Sequence, residues 1–276
     1  MDLWLVEGHT SGYSVNWKVR QVIHQETTRY QELSIVDTVE FGRALVLDGN
    51  VQTTVGDEFF YHEMIAHVPL FTHPEPRRVL VIGGGDGGTV REVVKHTSVA
   101  QVDLVEIDER VIVNCRRYLP ELSCALDNPR VNVIIADGLE YVQNCPAVYD
   151  VVIIDSCDPI GPAAGLFSHG FYAQINNILR DDGLMVAQTQ SPLYNRELVK
   201  SVSQSLKKLF PIKMVYLTTV PTYMSGFWTF TLASKEYHPL KFRRGALLPF
   251  STRYYTPEIH QAAFVLPKFL QELLMD

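Results

Sequence analysis

At 276 residues, with 46% hydrophobic and 20% charged side chains, the chain has the length and composition of one large globular domain or of one domain with a smaller attachment. A net charge of -7 and a pI near 5.7 exclude the electrostatics of a nucleic-acid binder and suit a cationic substrate. No stretch approaches the roughly 20 apolar residues of a membrane span. Asp2 and Glu7 interrupt the first apolar run, so it does not read as a signal peptide, and the four cysteines show no C-x-x-C pairing. A soluble cytoplasmic protein with reduced thiols is expected.

Residues 1–56 read as β-rich. Val15, Trp17 and Val19 alternate with polar residues, and Leu33 and Ile35 do the same, which is the period of a half-buried strand. Residues 44–47 run into Asp48-Gly49 and then Val51, a hairpin signal. A small antiparallel N-terminal β-domain over 1–56 is expected, followed by a second domain over 57–276. A helix is expected from 58 to 70, with Asp57 as its N-cap, and 73–76 is a proline-stiffened link.

From 79 the pattern alternates. Strands are expected at 79–82, 102–106, 131–135, 151–154 and 184–188, with helices at 89–96, 110–118 and 171–179 between them. Such alternation means a parallel sheet with helices on both faces. A helix at 197–210 and strands at 214–217 and 228–233 complete the pattern, the last two forming an antiparallel edge. Seven strands ending in such an edge describe a methyltransferase-like Rossmann domain in the α/β class.

The stretch that organises this domain is 79–92, where a short apolar strand meets Gly83, Gly84, Gly85, Asp86, Gly87 and Gly88 and then a helix. Strand, glycine turn and helix bind a nucleotide-like ligand at the strand's carboxyl end. Glycines serve there because the turn is tight and the ligand comes close to the backbone. Asp86 does not fit a phosphate cradle, since a pyrophosphate beside it would suffer like-charge repulsion. Glu106 follows about 20 residues on, the spacing at which a carboxylate reaches a ribose diol. A nucleoside without phosphates, such as a sulfonium adenosine, fits both facts.

Carboxylates also close the other strands, with Glu106 and Asp108 after the second, Asp137-Gly138 after the third, and Asp155-Ser156-Cys157-Asp158-Pro159 after the fourth. Singly, each has a plain structural reading: Asp137 as a helix cap, Asp158-Pro159 as a turn. Together they make a crevice that attracts a polycation. Two decoys are set aside. His62-Glu63-x-x-x-His67 spaces its histidines five apart, about 140° round a helix, so both cannot face one metal. Cys157 lacks an evident base partner, so a nucleophilic thiol is not expected. No metal is expected.

The sequence 79–92 resembles the signature of the polyamine aminopropyltransferases. So do residues 45–49, 57–64, 155–162 and 221–226, and the resemblance covers essentially the whole chain. It implies transfer of an aminopropyl group from decarboxylated S-adenosylmethionine, a co-substrate and not a cofactor, to an amine, usually putrescine, leaving methylthioadenosine. It implies a homodimer or homotetramer. Carried over by position, Gln31, Asp86, Glu106, Asp137, Gly138 and Pro162 would hold the donor, with Asp86 on its ammonium. Asp155 would be the general base and Tyr61 would orient the amine. His62, Asp86, Asp155, Ser156, Cys157, Asp158, Gln188 and Tyr223 would line the amine channel. His62 stands where some relatives carry Gln, and Cys157 where a second Ser is common. The residues leave the acceptor open among putrescine, cadaverine, agmatine and spermidine. A methyltransferase using intact S-adenosylmethionine and a polyamine-binding sensor are the rival classes, the first opposed by Asp86 and the Asp155–Asp158 loop, the second by the presence of both Tyr61 and Asp155.

Overall fold

The computed structural model describes residues 2–145, 148–159, 161–241 and 250–275. The chain opens with five antiparallel strands in sequential order: β1 (Leu3–Thr10), β2 (Tyr13–Thr27), β3 (Glu32–Thr38), β4 (Gly42–Leu47) and β5 (Asn50–Thr54). The expected β4–β5 hairpin is present. Asp48 and Gly49 have φ of 47° and 80°, the left-handed pair that a two-residue turn matched to strand twist requires.

Helix α1 (Phe59–Thr72) leads into β6 (Arg78–Gly83), α2 (Gly88–Val93), β7 (Gln101–Glu106), α3 (Glu109–Tyr118) and α4 (Pro120–Ser123). There follow β8 (Val131–Ile135), α5 (Gly138–Asn144), β9 (Tyr149–Asp155), a 3-10 turn (Gly161–Phe167), α6 (His169–Ile178) and β10 (Leu179–Gln188). The chain closes with α7 (Arg196–Leu209), β11 (Ile212–Thr219), β12 (Phe227–Ser234), α8 (Pro257–Ala262) and α9 (Lys268–Met275).

The second sheet has seven strands in the order β11-β12-β10-β9-β6-β7-β8, and only β12 runs against its neighbours. This is the expected sheet with its antiparallel edge. Strand alternation divides the core in two. Val79, Val81, Val151 and Ile153 pack with Met64 and Ile65 of α1 and Val90 of α2. Leu80, Ile82, Val152 and Ile154 pack with Val142 of α5 and Phe171 and Ile175 of α6. With both faces covered, residues 79–82 of β6 and 151–154 of β9 are apolar at every position, which is why they read as continuous runs. From β6 the chain steps outward through β7 and β8, then crosses to β9 on the other side. The β6–β9 junction is therefore a switch point, where such sheets open a crevice.

Several element ends differ from expectation, and three have a clear physical reason. Asp57 does not cap α1: the N-cap position is Glu58, and the Asp57 carboxylate instead accepts from Thr54 Oγ1 (2.7 Å) and the Thr222 amide (2.9 Å), buried partners that outcompete the helix end. The helix expected to reach 96 stops at Val93, because Arg130 donates to the carbonyls of Val94, His96 and Val99. The helix expected at 171–179 begins at His169 under a Ser168 cap, and Leu179 already pairs with Tyr149 as the first residue of β10.

Candidate active site

The glycine loop is shaped by what surrounds it. Gly83, Gly84 and Gly87 have φ of 79°, 70° and 88°, a left-handed region that disfavours side chains. A Cβ on Gly84 would lie 2.6 Å from Asp155 Oδ2, one on Gly85 2.7 Å from Glu106 Oε2, and one on Gly88 2.3 Å from the His62 ring. The glycines make room for two carboxylates and an imidazole before any ligand arrives.

Asp155 ends β9, paired with Gly83 at the switch point. Its Oδ1 accepts from Tyr61 Oη at 2.6 Å and its Oδ2 from Thr89 Oγ1 at 2.6 Å. Burial raises its pKa; the His62 charge opposes this and Asp86 adds to it. Tyr61 comes from the buried face of α1, its ring edge-on to His62 and Phe230. Burial and the Asp155 charge push its hydroxyl well above the ordinary tyrosine value, so it donates and does not ionise.

Asp86 accepts from the Gly88 amide at 2.6 Å and lies 3.5 Å from His62 Nε2. The other nitrogen of His62, Nδ1, meets Glu58 Oε2 at 2.6 Å. Burial alone would lower the imidazole pKa, but the Asp86 and Glu58 carboxylates overcome it and push it up to about 10. Burial works against Asp86 as well, yet the His62 cation and the Gly88 amide hold it below the ordinary carboxylate value. Both groups are charged at neutral pH.

Glu106, at the end of β7, accepts from the Gly85 amide (3.2 Å) and the Asp108 amide (2.9 Å). Burial raises its pKa to about 7, with Asp108 adding to the rise and the backbone amides opposing it. Asp108 caps α3 and accepts from Gln31 Nε2 (3.0 Å) and Thr28 Oγ1 (2.7 Å), which pins the β2–β3 turn over the crevice. Asp137 takes the plain role foreseen for it, capping α5 through the Leu139 amide. A Cβ on Gly138 would meet Ile82 at 2.6 Å.

On the far side, Gln188 Nε2 donates to the carbonyls of Ser156 (2.8 Å) and Cys157 (3.3 Å), fixing the loop after β9. Tyr223 Oη donates to the Gln52 carbonyl at 2.6 Å, tying the 221–226 loop to the N-terminal sheet. Burial and the Glu106 and Asp158 charges push the Cys157 thiol up to about 11, so it is not a thiolate near neutral pH.

One cavity of about 640 Å³ is lined by all the residues expected at the site except Pro162, whose side chain falls outside the described residues. Sequence reasoning missed several lining residues: Glu7 and His9 of β1, Gln52 of β5, Asn195 and Trp228. It also missed Thr89. Glu7 is buried, accepts from Trp17 Nε1 (2.9 Å) and the Val51 amide (3.1 Å), and is raised to about 6 mainly by burial. The available signal was a carboxylate inside an apolar run. The decoy motif on α1 resolves into three separate contacts. His62 faces Asp86, Glu63 accepts from the amides of Arg253, Tyr254 and Tyr255, and His67 bonds Glu92 and His96. Among the described residues no group of three His, Cys, Asp or Glu side chains is arranged to hold a metal ion.

This is the cleft of a methyltransferase-like α/β protein, turned by its carboxylates toward cations. Residues 58–243 match the family described as the spermine/spermidine synthase domain, and residues 3–55 match the spermidine synthase tetramerisation domain. Curated polyamine aminopropyltransferases of Moorella thermoacetica and Clostridium kluyveri are 55% and 53% identical to this chain. Each comparison spans 99% of this chain, with 96% and 99% of those proteins covered respectively. Among solved structures, a spermidine synthase in complex with the transition-state analogue AdoDATO superposes with a TM-score of 0.97 at 42% identity, covering 99% of this chain and 95% of that one. The spermidine synthase from Thermotoga maritima gives a TM-score of 0.95 at 42% identity, covering 99% and 94%. The chain therefore belongs to the spermine/spermidine synthase family and is an aminopropyltransferase.

Proposed function

We propose that the chain transfers the aminopropyl group of decarboxylated S-adenosylmethionine to putrescine, giving spermidine and methylthioadenosine. The observation that carries this reading is the Asp155 carboxylate, held by two hydroxyl donors at the mouth of a glycine loop whose own charge is the Asp86 carboxylate. A free amine of this type has a pKa of roughly 10, by analogy with lysine, and arrives protonated. Asp155 is the general base. Tyr61 and Thr89 occupy one lone pair on each of its oxygens and leave others for the amine proton. Its raised pKa makes it a better proton acceptor than an exposed aspartate. The freed nitrogen lone pair forms a bond to the carbon beside the sulfonium sulfur. The carbon–sulfur bond breaks, and its electron pair stays on sulfur as a neutral thioether. Asp155 keeps the proton until solvent removes it.

Glu106 takes the ribose hydroxyls, with Gln31, Asp137, Gly138 and Pro162 completing the nucleoside site. Asp86 takes the donor ammonium and repels the carboxylate of intact S-adenosylmethionine. His62, Ser156, Cys157, Asp158, Gln188 and Tyr223 line the acceptor channel, where Asp158 and the unforeseen Glu7 take the distal ammonium. Support for a polar ligand comes from Ser156 Oγ and Trp228 Nε1, buried at this end with no partner among the described residues.

The division at residue 56 separates an assembly module from the catalytic domain, and the working form is a cytoplasmic homo-oligomer, dimer or tetramer, with no nucleic-acid or membrane partner. The outer hairpin supports this, with Leu3, Trp4 and Val6 at 45%, 51% and 61% exposure. Among the described residues, no helix is long and apolar enough to cross a membrane. The reaction is tested by offering putrescine with either decarboxylated or intact S-adenosylmethionine. Methylthioadenosine and spermidine formed one-to-one from the decarboxylated donor alone support the reading; comparable turnover of the intact donor defeats it.

A further inference from the structure

Behind Asp86 a line of charged side chains runs away from the cavity. Asp86 faces His62 Nε2, and His62 Nδ1 meets Glu58 Oε2 at 2.6 Å. That same Glu58 oxygen accepts from Arg91 at 2.7 Å. Arg91 Nε donates to Glu92 Oε1 at 2.8 Å, and Glu92 is fixed in turn by Lys95 and His67. Glu58, the N-cap of α1, lies one turn before His62, and Arg91 and Glu92 belong to α2, so the start of α1 and helix α2 clamp one imidazole. Gly88 leaves the space the ring occupies. In such a pair, the bond made by one imidazole nitrogen decides what the other presents.

We propose that Glu58 and Arg91 are positioning residues for the donor's cationic arm. They hold the His62 ring through Nδ1 so that its Nε2–H faces Asp86, keeping that carboxylate ionised and aimed at the aminopropyl ammonium. This rests on the reading of Asp86 given above. Charged and titratable groups around His62 are Glu58 at the N-cap and Tyr61 on its own helix, Asp86 on the loop, Arg91 on α2 behind Glu58, and Asp155 on β9. With both carboxylates present the imidazole stays protonated through neutral pH. Removing the Glu58 charge leaves burial less opposed, and the ring loses its proton at lower pH.

The test is Glu58→Gln, with Arg91→Lys as the second variant should the first fail to fold. The expected loss in kcat/KM for the donor is roughly tenfold, the size of one charge-assisted hydrogen bond. It falls on donor KM more than on kcat. The donor profile gains an ionisation below the wild-type imidazole value of about 10. Affinity for methylthioadenosine, which has no ammonium arm, stays within about twofold. An unchanged donor KM and pH profile, or an equal loss of methylthioadenosine affinity, overturns the proposal. Asp86→Asn run alongside separates the causes. If it raises donor KM while Glu58→Gln does nothing, only the relay fails; if it leaves donor KM unchanged, the Asp86 reading and the relay fall together.

Discussion

Replacing Asp155 by asparagine isolates the proton-transfer step. The amide is isosteric, and hydroxyls both donate and accept, so Tyr61 and Thr89 each keep a partner at the 2.6 Å contacts they now make. What disappears is a lone-pair base in the path of the amine proton. General bases contribute roughly 10²–10⁴-fold, so kcat should fall by that factor, equivalent to about 3–5 kcal/mol of barrier. Methylthioadenosine affinity should stay within about twofold, because the nucleoside contacts proposed for Gln31, Glu106, Asp137 and Gly138 lie on other elements. The variant should not lose stability. Because the folded pKa of Asp155 lies above its unfolded value, its contribution to stability is complete at low pH and is lost as pH rises through the folded value. Above that window the wild type carries a disfavoured buried charge and the variant does not, so the variant melts no lower at pH 8. The assay is release of methylthioadenosine from decarboxylated S-adenosylmethionine and putrescine, with nucleoside binding measured by calorimetry. A kcat within threefold of wild type, with binding intact, would falsify the assignment of Asp155 as base.

Other outcomes follow from the same geometry. Tyr61→Phe removes one donor to Asp155 and should lower kcat roughly tenfold, the size of one charge-assisted hydrogen bond, with methylthioadenosine affinity unchanged; an unaltered kcat removes Tyr61 from the reaction. Gly85→Ala places a Cβ 2.7 Å from Glu106 Oε2 and should weaken methylthioadenosine binding by tenfold or more, since one hydrogen bond to a charged group is about 1.5–3 kcal/mol. Equal affinity in calorimetry would show that Glu106 does not hold the ribose. Glu106 itself should make the unliganded protein lose up to about 3 kcal/mol as pH climbs from below 4.5 through about 7, its folded pKa being the raised one. A melting profile without that decline, or an identical decline in Glu106→Gln, contradicts the raised value. Glu7→Gln should raise the KM for putrescine several-fold while donor KM stays put; a matched rise in both argues for general damage to the cleft.

Much of the fold was legible because the central strands carry it openly. Runs such as 79–82 and 151–154 are apolar at every position, and only a sheet covered on both faces asks for that. The glycine loop and the carboxylate after each strand were legible for a related reason: topology alone sends those positions to one crevice. What the sequence hid was tertiary substitution for local rules. Asp57 looks like a cap but is spent on Thr222, some 165 residues away, and the helix at α2 is cut short by an arginine from 130. His9 and Gln52 were invisible as site residues, and Glu7 showed only as a carboxylate in an apolar run, because nothing local says that the first sheet folds over the mouth of the second. Thr89 read only as a helix start, although its hydroxyl holds Asp155.

The most direct measurement is a competition among acceptors. The purified protein is given decarboxylated S-adenosylmethionine with putrescine, cadaverine, agmatine and spermidine together, and every product is identified by mass spectrometry. Spermidine as the dominant product, with an equal amount of methylthioadenosine, is the predicted result. Aminopropylated cadaverine, agmatine or spermidine in its place would contradict the assignment of putrescine, and methylthioadenosine binding with no amine product at all would contradict the proposed transfer.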